Sequence, residues 1–262
     1  MPVMSEEAIY ASARMAAGYA FNRPAVHPRI VERIRGDRRI ERPFTRALDI
    51  GCGAGLSAAA LEPLAAIVVG LEPERGMLAH RRAVAPLASF VAARAEQLPF
   101  AAASFGLVTA AGALNYVDLE AFLPELARVL TSRGLMVIYD FSAGRRLEDD
   151  GALDAWYAEF ERRYPPKPGY DMDVRAIGFE PAGLRLEAIE PFTVSVPMTA
   201  AQYVAYAMSE SGVELAVAGG TSEAEIEAWC TSTLSSILDE RPRDVLFDAY
   251  AAYVTHGTST SR

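Results

Sequence analysis

Leu48-Asp49-Ile50-Gly51-Cys52-Gly53-Ala54-Gly55 is an apolar run that passes directly into a loop with glycine at every second place. This pattern predicts a buried strand turning sharply toward a ligand, because glycine permits left-handed backbone and lets the main chain approach a bound group closely. Glu72 closes the next apolar run, where a carboxylate can take both hydroxyls of a ribose.

Outward from this stretch, short apolar runs at 47–50, 67–71, 90–92, 105–110 and 135–141 alternate with amphipathic pieces at 56–64, 74–83 and 119–130. The runs read as buried parallel strands and the pieces as covering helices, the last expected to stop before Gly134. Two further strands are expected at 184–190 and 245–254, with helices at 200–209 and 222–238 between them. The fold class that follows is α/β: a doubly wound, Rossmann-like, mostly parallel seven-stranded sheet with helices on both faces and a helical cap or insertion. Before the first strand, Ser5 followed by Glu6 and Glu7 reads as the start of a helix to about Gly18, and a second is expected at 26–35. Tyr164-Pro165-Pro166-Lys167-Pro168-Gly169 can be neither regular helix nor central strand.

Composition narrows the function. The 262 residues carry 25 Lys plus Arg against 34 Asp plus Glu, a net charge of −9, which argues against nucleic acid as the main partner. Cys52 and Cys230 form no pair, and His27, His80 and His256 are scattered, so no metal site is expected. The amino terminus does not read as a signal peptide, and no apolar run approaches the roughly 20 residues of a membrane span. The expectation is a cytoplasmic protein without a membrane partner, monomeric or homodimeric.

Two ligands compete for the glycine loop. Read from Gly51, the dinucleotide pattern G-x-G-x-x-G/A fails at Leu56; read from Gly53 it passes at Ala58. In that second register Asp49 precedes the pattern, where a carboxylate would repel a pyrophosphate. S-adenosylmethionine carries an ammonium and a sulfonium and no phosphate, so electrostatics favours it.

The chain closely resembles the class I S-adenosylmethionine-dependent methyltransferases, particularly the small-molecule group called type 11. Leu48–Gly55 is similar to the family's first motif, and Glu72-Pro73 to its acidic ribose-binding position. Met77, Arg94-Ala95-Glu96-Gln97-Leu98-Pro99-Phe100, Phe105-Gly106-Leu107-Val108, Ala113-Leu114-Asn115-Tyr116-Val117 and Ala127-Arg128-Val129-Leu130 follow in the family's order. The match is strong over about 40–141. Arg94 stands where the family commonly has an acidic residue, which shifts a hydrogen bond to the adenine amino group toward Glu96, and Ser132-Arg133 replaces a usual Pro-Gly.

The resemblance implies S-adenosylmethionine as cofactor, held by Asp49, Gly51, Gly53, Gly55, Glu72, Pro73, Met77, Ala95, Glu96 and Ala111, and a small-molecule acceptor methylated on oxygen, nitrogen or carbon. It also implies a division into an N-terminal helical lid (1–40), carrying Tyr10, Tyr19, Phe21 and Arg23, and a methyltransferase-type α/β domain (41–262) with a cap within about 142–217. Each residue has a blander reading: Glu72 as first-turn chemistry, Cys52 as a small filler, and the lid aromatics as helix packing. A general base is optional, since alignment alone supplies much of the rate; Asp140 and Tyr116, beyond strand ends, are the candidates. Two other classes stay open: a cofactor-binding protein of the same fold without transfer, and a nicotinamide-dependent oxidoreductase.

Overall fold

The computed structural model describes residues 12–148, 150–166 and 172–257. In chain order the elements are α1 (Ala13–Phe21), α2 (Val26–Asp37), β1 (Phe44–Ile50), α3 (Leu56–Ala60), β2 (Ala65–Leu71), α4 (Arg81–Val84), β3 (Ser89–Val91), β4 (Phe105–Ala111), α5 (Leu119–Val129) and β5 (Leu130–Phe141). They continue as β6 (Arg146–Leu147), α6 (Ala152–Arg163), β7 (Leu184–Met198), α7 (Ala200–Met208), α8 (Ser211–Ala218), α9 (Glu223–Leu234) and β8 (Arg243–His256).

The sheet runs β3-β2-β1-β4-β5-β8, with β6 and β7 both paired to β8. The β3-β2-β1-β4-β5 half is parallel, and β8 pairs antiparallel to β5, β6 and β7. Alternation along the central strands feeds two cores. Ala47, Leu107, Val137 and Tyr139 face α2 residues Val26, Ile30 and Ile34, while Leu48, Val108, Met136 and Ile138 face α5 residues Phe122 and Leu126. The order reverses between β2-β1 and β4-β5, so a crevice opens beyond the carboxyl ends of β1 and β4, where open α/β sheets bind ligands.

The described sheet has eight strands rather than the expected seven. The additional one is β6, whose two residues are too few to leave a periodic signal. β7 extends through Pro191 and Pro197 to Met198 instead of ending at 190. It pairs only with β8 and is an edge, where a missing N–H costs no ladder bond. The piece at 56–64 is helical only to Ala60, because Pro63 disfavours helical backbone at Glu62. The piece at 74–83 breaks into a 3-10 turn (Met77–His80) and the single turn of α4.

The 119–130 helix stops at Val129; Leu130 is already extended, and Gly134 lies within β5 rather than serving as a stop. The 222–238 helix ends at Leu234, and α8 had no counterpart in the sequence reading. The start expected at Ser5, the lid residue Tyr10, and 167–171 of the proline-rich loop lie outside the described residues. Within them α1 begins after Ser12, whose hydroxyl accepts the Met15 N–H at 3.0 Å.

Candidate active site

β1 delivers Asp49 to the crevice already saturated. Ser57 Oγ donates to its Oδ2 at 2.5 Å and Thr109 Oγ1 to its Oδ1 at 2.7 Å, tying β1 to α3 and β4. Asp49 is fully buried, and that burial pushes its carboxyl up to about 6 against the two hydroxyl donors. It therefore sits beneath the glycine loop instead of on the cavity wall. The loop needs its glycines: Gly51, Gly53 and Gly55 have φ of 64°, 54° and 102°, and a Cβ on Gly51 would lie 2.5 Å from that of Ala113.

Glu72, at the end of β2, is nearly buried and fixed by main chain. Its Oε2 accepts the Gly53 N–H and its Oε1 the Glu74 N–H, both at 2.9 Å. Burial raises its carboxyl above the usual range, against those two donors. Each oxygen keeps a second lone pair, the requirement for holding two neighbouring hydroxyls.

A cavity of about 700 Å³ runs from Glu72 across the strand ends to α1 and α2. Its wall includes Gly51, Glu72, Pro73, Met77, Ala95, Glu96, Ala111, Tyr116 and Asp140 of the residues expected from sequence. Gly53 and Gly55 shape the loop without lining the cavity, as Asp49 does. Glu96 Oε1 accepts the Asp118 N–H at 3.0 Å, and Arg94, largely exposed, approaches its Oε2 at 3.5 Å. Asp140 Oδ1 accepts the Phe141 N–H at 2.8 Å, and burial raises its carboxyl. The Cys52 thiol is raised far above its ordinary range by burial and is inert.

The far end contains the expected lid residues Tyr19 and Arg23 together with residues that sequence reasoning missed. Tyr19, Arg23, Pro24, His27, Asn115 and Phe141 complete the wall. Arg23 Nη1 donates to Glu210 at 2.9 Å and Nη2 to the Ser209 carbonyl at 3.1 Å, with its guanidinium 4.1 Å from the Tyr19 ring centroid. Arg14 adds a bond to Glu214 at 2.8 Å and one to the Met208 carbonyl at 2.9 Å. The α1 segment is thus clamped to the corner between α7 and α8. His27 Nδ1 lies 2.9 Å from the Tyr139 hydroxyl, and burial together with the Arg23 charge pushes its imidazole down to about 4. The one sequence signal was the four-residue spacing of Tyr19, Arg23 and His27, which Pro24 interrupts.

The family described as "Methyltransferase domain" matches residues 48–138, the span holding β1 to β5 and the glycine loop. Over these residues the chain is similar to that family. The demethylmenaquinone methyltransferase of Beutenbergia cavernae is 38% identical over 102 residues, covering 38% of this chain and 42% of that one. The ubiquinone biosynthesis O-methyltransferase of Rhizobium rhizogenes is 31% identical over 138 residues, 50% and 54% of the two chains. This chain spans about half or less of the length of these curated relatives. A structure from Anaeromyxobacter dehalogenans, provisionally assigned as a type II methyltransferase, overlays with a TM-score of 0.65 at 20% identity over 89% of this chain and 97% of that one. At that identity the likeness concerns the fold alone, which it extends beyond residue 138. Among the described residues no helix is long and apolar enough to cross a membrane, and no cluster of metal-binding side chains occurs.

Proposed function

We propose that this chain transfers a methyl group from S-adenosylmethionine to a small-molecule acceptor. The observation that carries the proposal is one continuous cavity joining Glu72 and the glycine loop to an aromatic, partly polar end beneath α1 and α2. Its volume falls in the roughly 300–1,000 Å³ range of small-molecule sites. Glu72 would hold the ribose, Met77, Ala95 and Glu96 would border the adenine, and Gly51 and Ala111 would lie along the rest of the cofactor. Asp49, Gly53 and Gly55 would hold the loop in shape, and Pro73 would set the turn after Glu72. When bound, S-adenosylmethionine supplies a methyl carbon made electrophilic by its sulfonium.

The chain's own contribution is to hold the acceptor in line and to exclude water. Asp140 and Tyr116 stand on the wall as candidate proton-handling groups. Two relatives named for menaquinone and ubiquinone methylation support a small acceptor, and the net charge of −9 supports no nucleic acid partner. The lid (1–40), the α/β domain (41–262) and the cap within 142–217 are proposed as the working divisions, in a cytoplasmic monomer or homodimer.

Thermal unfolding with S-adenosylmethionine, S-adenosylhomocysteine and NAD tests the reading. At 100 times its dissociation constant a ligand adds about 2.7 kcal/mol, which moves the midpoint by roughly 5–10 °C at this size. Both sulfur nucleosides should stabilise the protein, and Glu72→Ala should abolish the shift. Stabilisation by NAD alone, or by none of the three, would overturn the proposal.

A further inference from the structure

The imidazole of His27 sits on the cavity wall at the end opposite Glu72, under the charge of Arg23 and against the β5 residues Tyr139 and Phe141. Its Nδ1 is paired with the Tyr139 hydroxyl at 2.9 Å. Nε2 has no protein partner among the described residues and is not sealed from solvent. Tyr139 is fully buried, and burial keeps its phenol protonated. In the tautomer in which this hydroxyl accepts from Nδ1–H, the ring's lone pair lies on Nε2. Tyr19, Tyr116 and Phe141 line the same cavity, and the Phe141 ring meets His27 edge-on.

We propose that His27 is the catalytic residue that accepts the acceptor's proton, and that the acceptor is an aromatic hydroxyl compound whose ring lies among Tyr19, Tyr116 and Phe141. This rests on the methyltransferase reading above. As the phenolic oxygen bonds to the methyl carbon, the carbon–sulfur bond breaks with its electron pair remaining on sulfur. The O–H proton passes to Nε2, and the imidazolium, its Nδ1–H held by Tyr139, later releases that proton to solvent. The neutral state of the ring suits this chemistry. An imidazole held at about 4 is unprotonated throughout the neutral range and always able to accept. A phenol arrives neutral with a free lone pair and becomes strongly acidic as its oxygen is alkylated. An alkylamine arrives as an ammonium without a lone pair, and so weak a base cannot deprotonate it in advance. Arg23, the charged group that acts on the ring, is paired with Glu210, and Asp140 Oδ1 accepts the Phe141 N–H.

Calorimetric binding of 1-naphthol and 1-methoxynaphthalene to the S-adenosylhomocysteine complex tests the proposal. The two compounds share an apolar body and differ in the proton that Nε2 would accept, and the second is the methylation product of the first. The naphthol should bind at least tenfold more tightly. The paired variant His27→Phe/Tyr139→Phe keeps the aromatic packing without leaving a buried hydroxyl unpartnered. It should lose the preference while keeping its affinity for S-adenosylhomocysteine. Equal affinities in the unmodified protein, a preference surviving in the paired variant, or failure of both naphthalenes to bind a complex that forms normally would overturn the assignment. Failure of S-adenosylhomocysteine itself to bind would instead overturn the methyltransferase reading on which it rests.

Discussion

At the Glu72 end of the cavity the wall is made by main chain. Gly53 and Glu74 donate their N–H groups to one carboxylate, and three left-handed glycines bend the loop above a saturated Asp49. At the His27 end it is made by side chains drawn from distant parts of the sequence: Arg23 meets Glu210, and His27 meets Tyr139. The first construction depends on few residues that tolerate no replacement. The second depends on contacts between elements, each replaceable at moderate cost. The difference predicts how substitutions should divide between the two ends.

Gly51→Val should produce the largest effect. Its φ of 64° is strained for a branched residue, and the added Cβ falls 2.5 Å from Ala113 Cβ, on a neighbouring segment that cannot swing aside. Strain and overpacking together should cost about 3–5 kcal/mol in denaturant unfolding. A loss below about 1 kcal/mol would show that the loop is softer than its geometry implies and would break the contrast.

Arg23→Met tests the other end. It removes two hydrogen bonds and leaves Glu210, mostly buried, without its partner. A loss of about 3 kcal/mol is expected, with S-adenosylhomocysteine affinity nearly unchanged because the Glu72 end is untouched. Loss of that affinity would show that the two ends act as one unit.

The same contrast decides what was legible in the sequence. The glycine loop, Glu72 and the five parallel strands lie within one continuous stretch whose local pattern reports their environment, so the fold and the glycine-loop end of the cavity could be read directly. His27 could not. Its partner Tyr139 is a buried residue of β5, and helical spacing from Tyr19 is broken by Pro24 between α1 and α2. Asp49 reads in the sequence as a cofactor residue or an anchor of the loop; its partners, the hydroxyls of Ser57 and Thr109, eight and sixty residues away, leave no local pattern. β7 runs past its expected end at 190 through Pro191 and Pro197, because whether a strand is an edge is a property of the assembled sheet.

Two buried titratable groups, one at each end, should pull stability in opposite directions with pH. Asp49 is held at about 6 against 3.8 in an unfolded chain, so its contribution is favourable at low pH and is lost as pH rises from about 4 to 6. His27 is held at about 4 against 6.5, so its contribution is present above about 6.5 and is lost as pH falls toward 4. Each difference is worth roughly 3 kcal/mol, and in the unmodified protein the two largely offset. Relative to it, Asp49→Asn should gain stability as pH rises from 4 to 6, and His27→Phe should gain as pH falls from 6.5 to 4. Parallel unfolding curves for all three proteins across that window would show that neither group is desolvated as the geometry indicates.

The smallest effect sharpens the comparison at its margin. Arg94 stands at the proposed adenine side, where the resembling family commonly has an acidic residue, and it is two-thirds exposed with a long 3.5 Å approach to Glu96. An exposed pair of that geometry contributes roughly 0–1 kcal/mol. Glu96, by contrast, is mostly buried and already spends Oε1 on the Asp118 N–H that opens α5. Arg94→Ala should therefore leave unfolding within about 0.5 kcal/mol while freeing Glu96 Oε2 for a donor on the adenine. S-adenosylhomocysteine affinity should then rise about two- to threefold, the worth of part of one hydrogen bond. A fall of similar size would mean that Arg94 itself touches the cofactor, and the side chain rather than the main chain would then govern this corner of the first end as well.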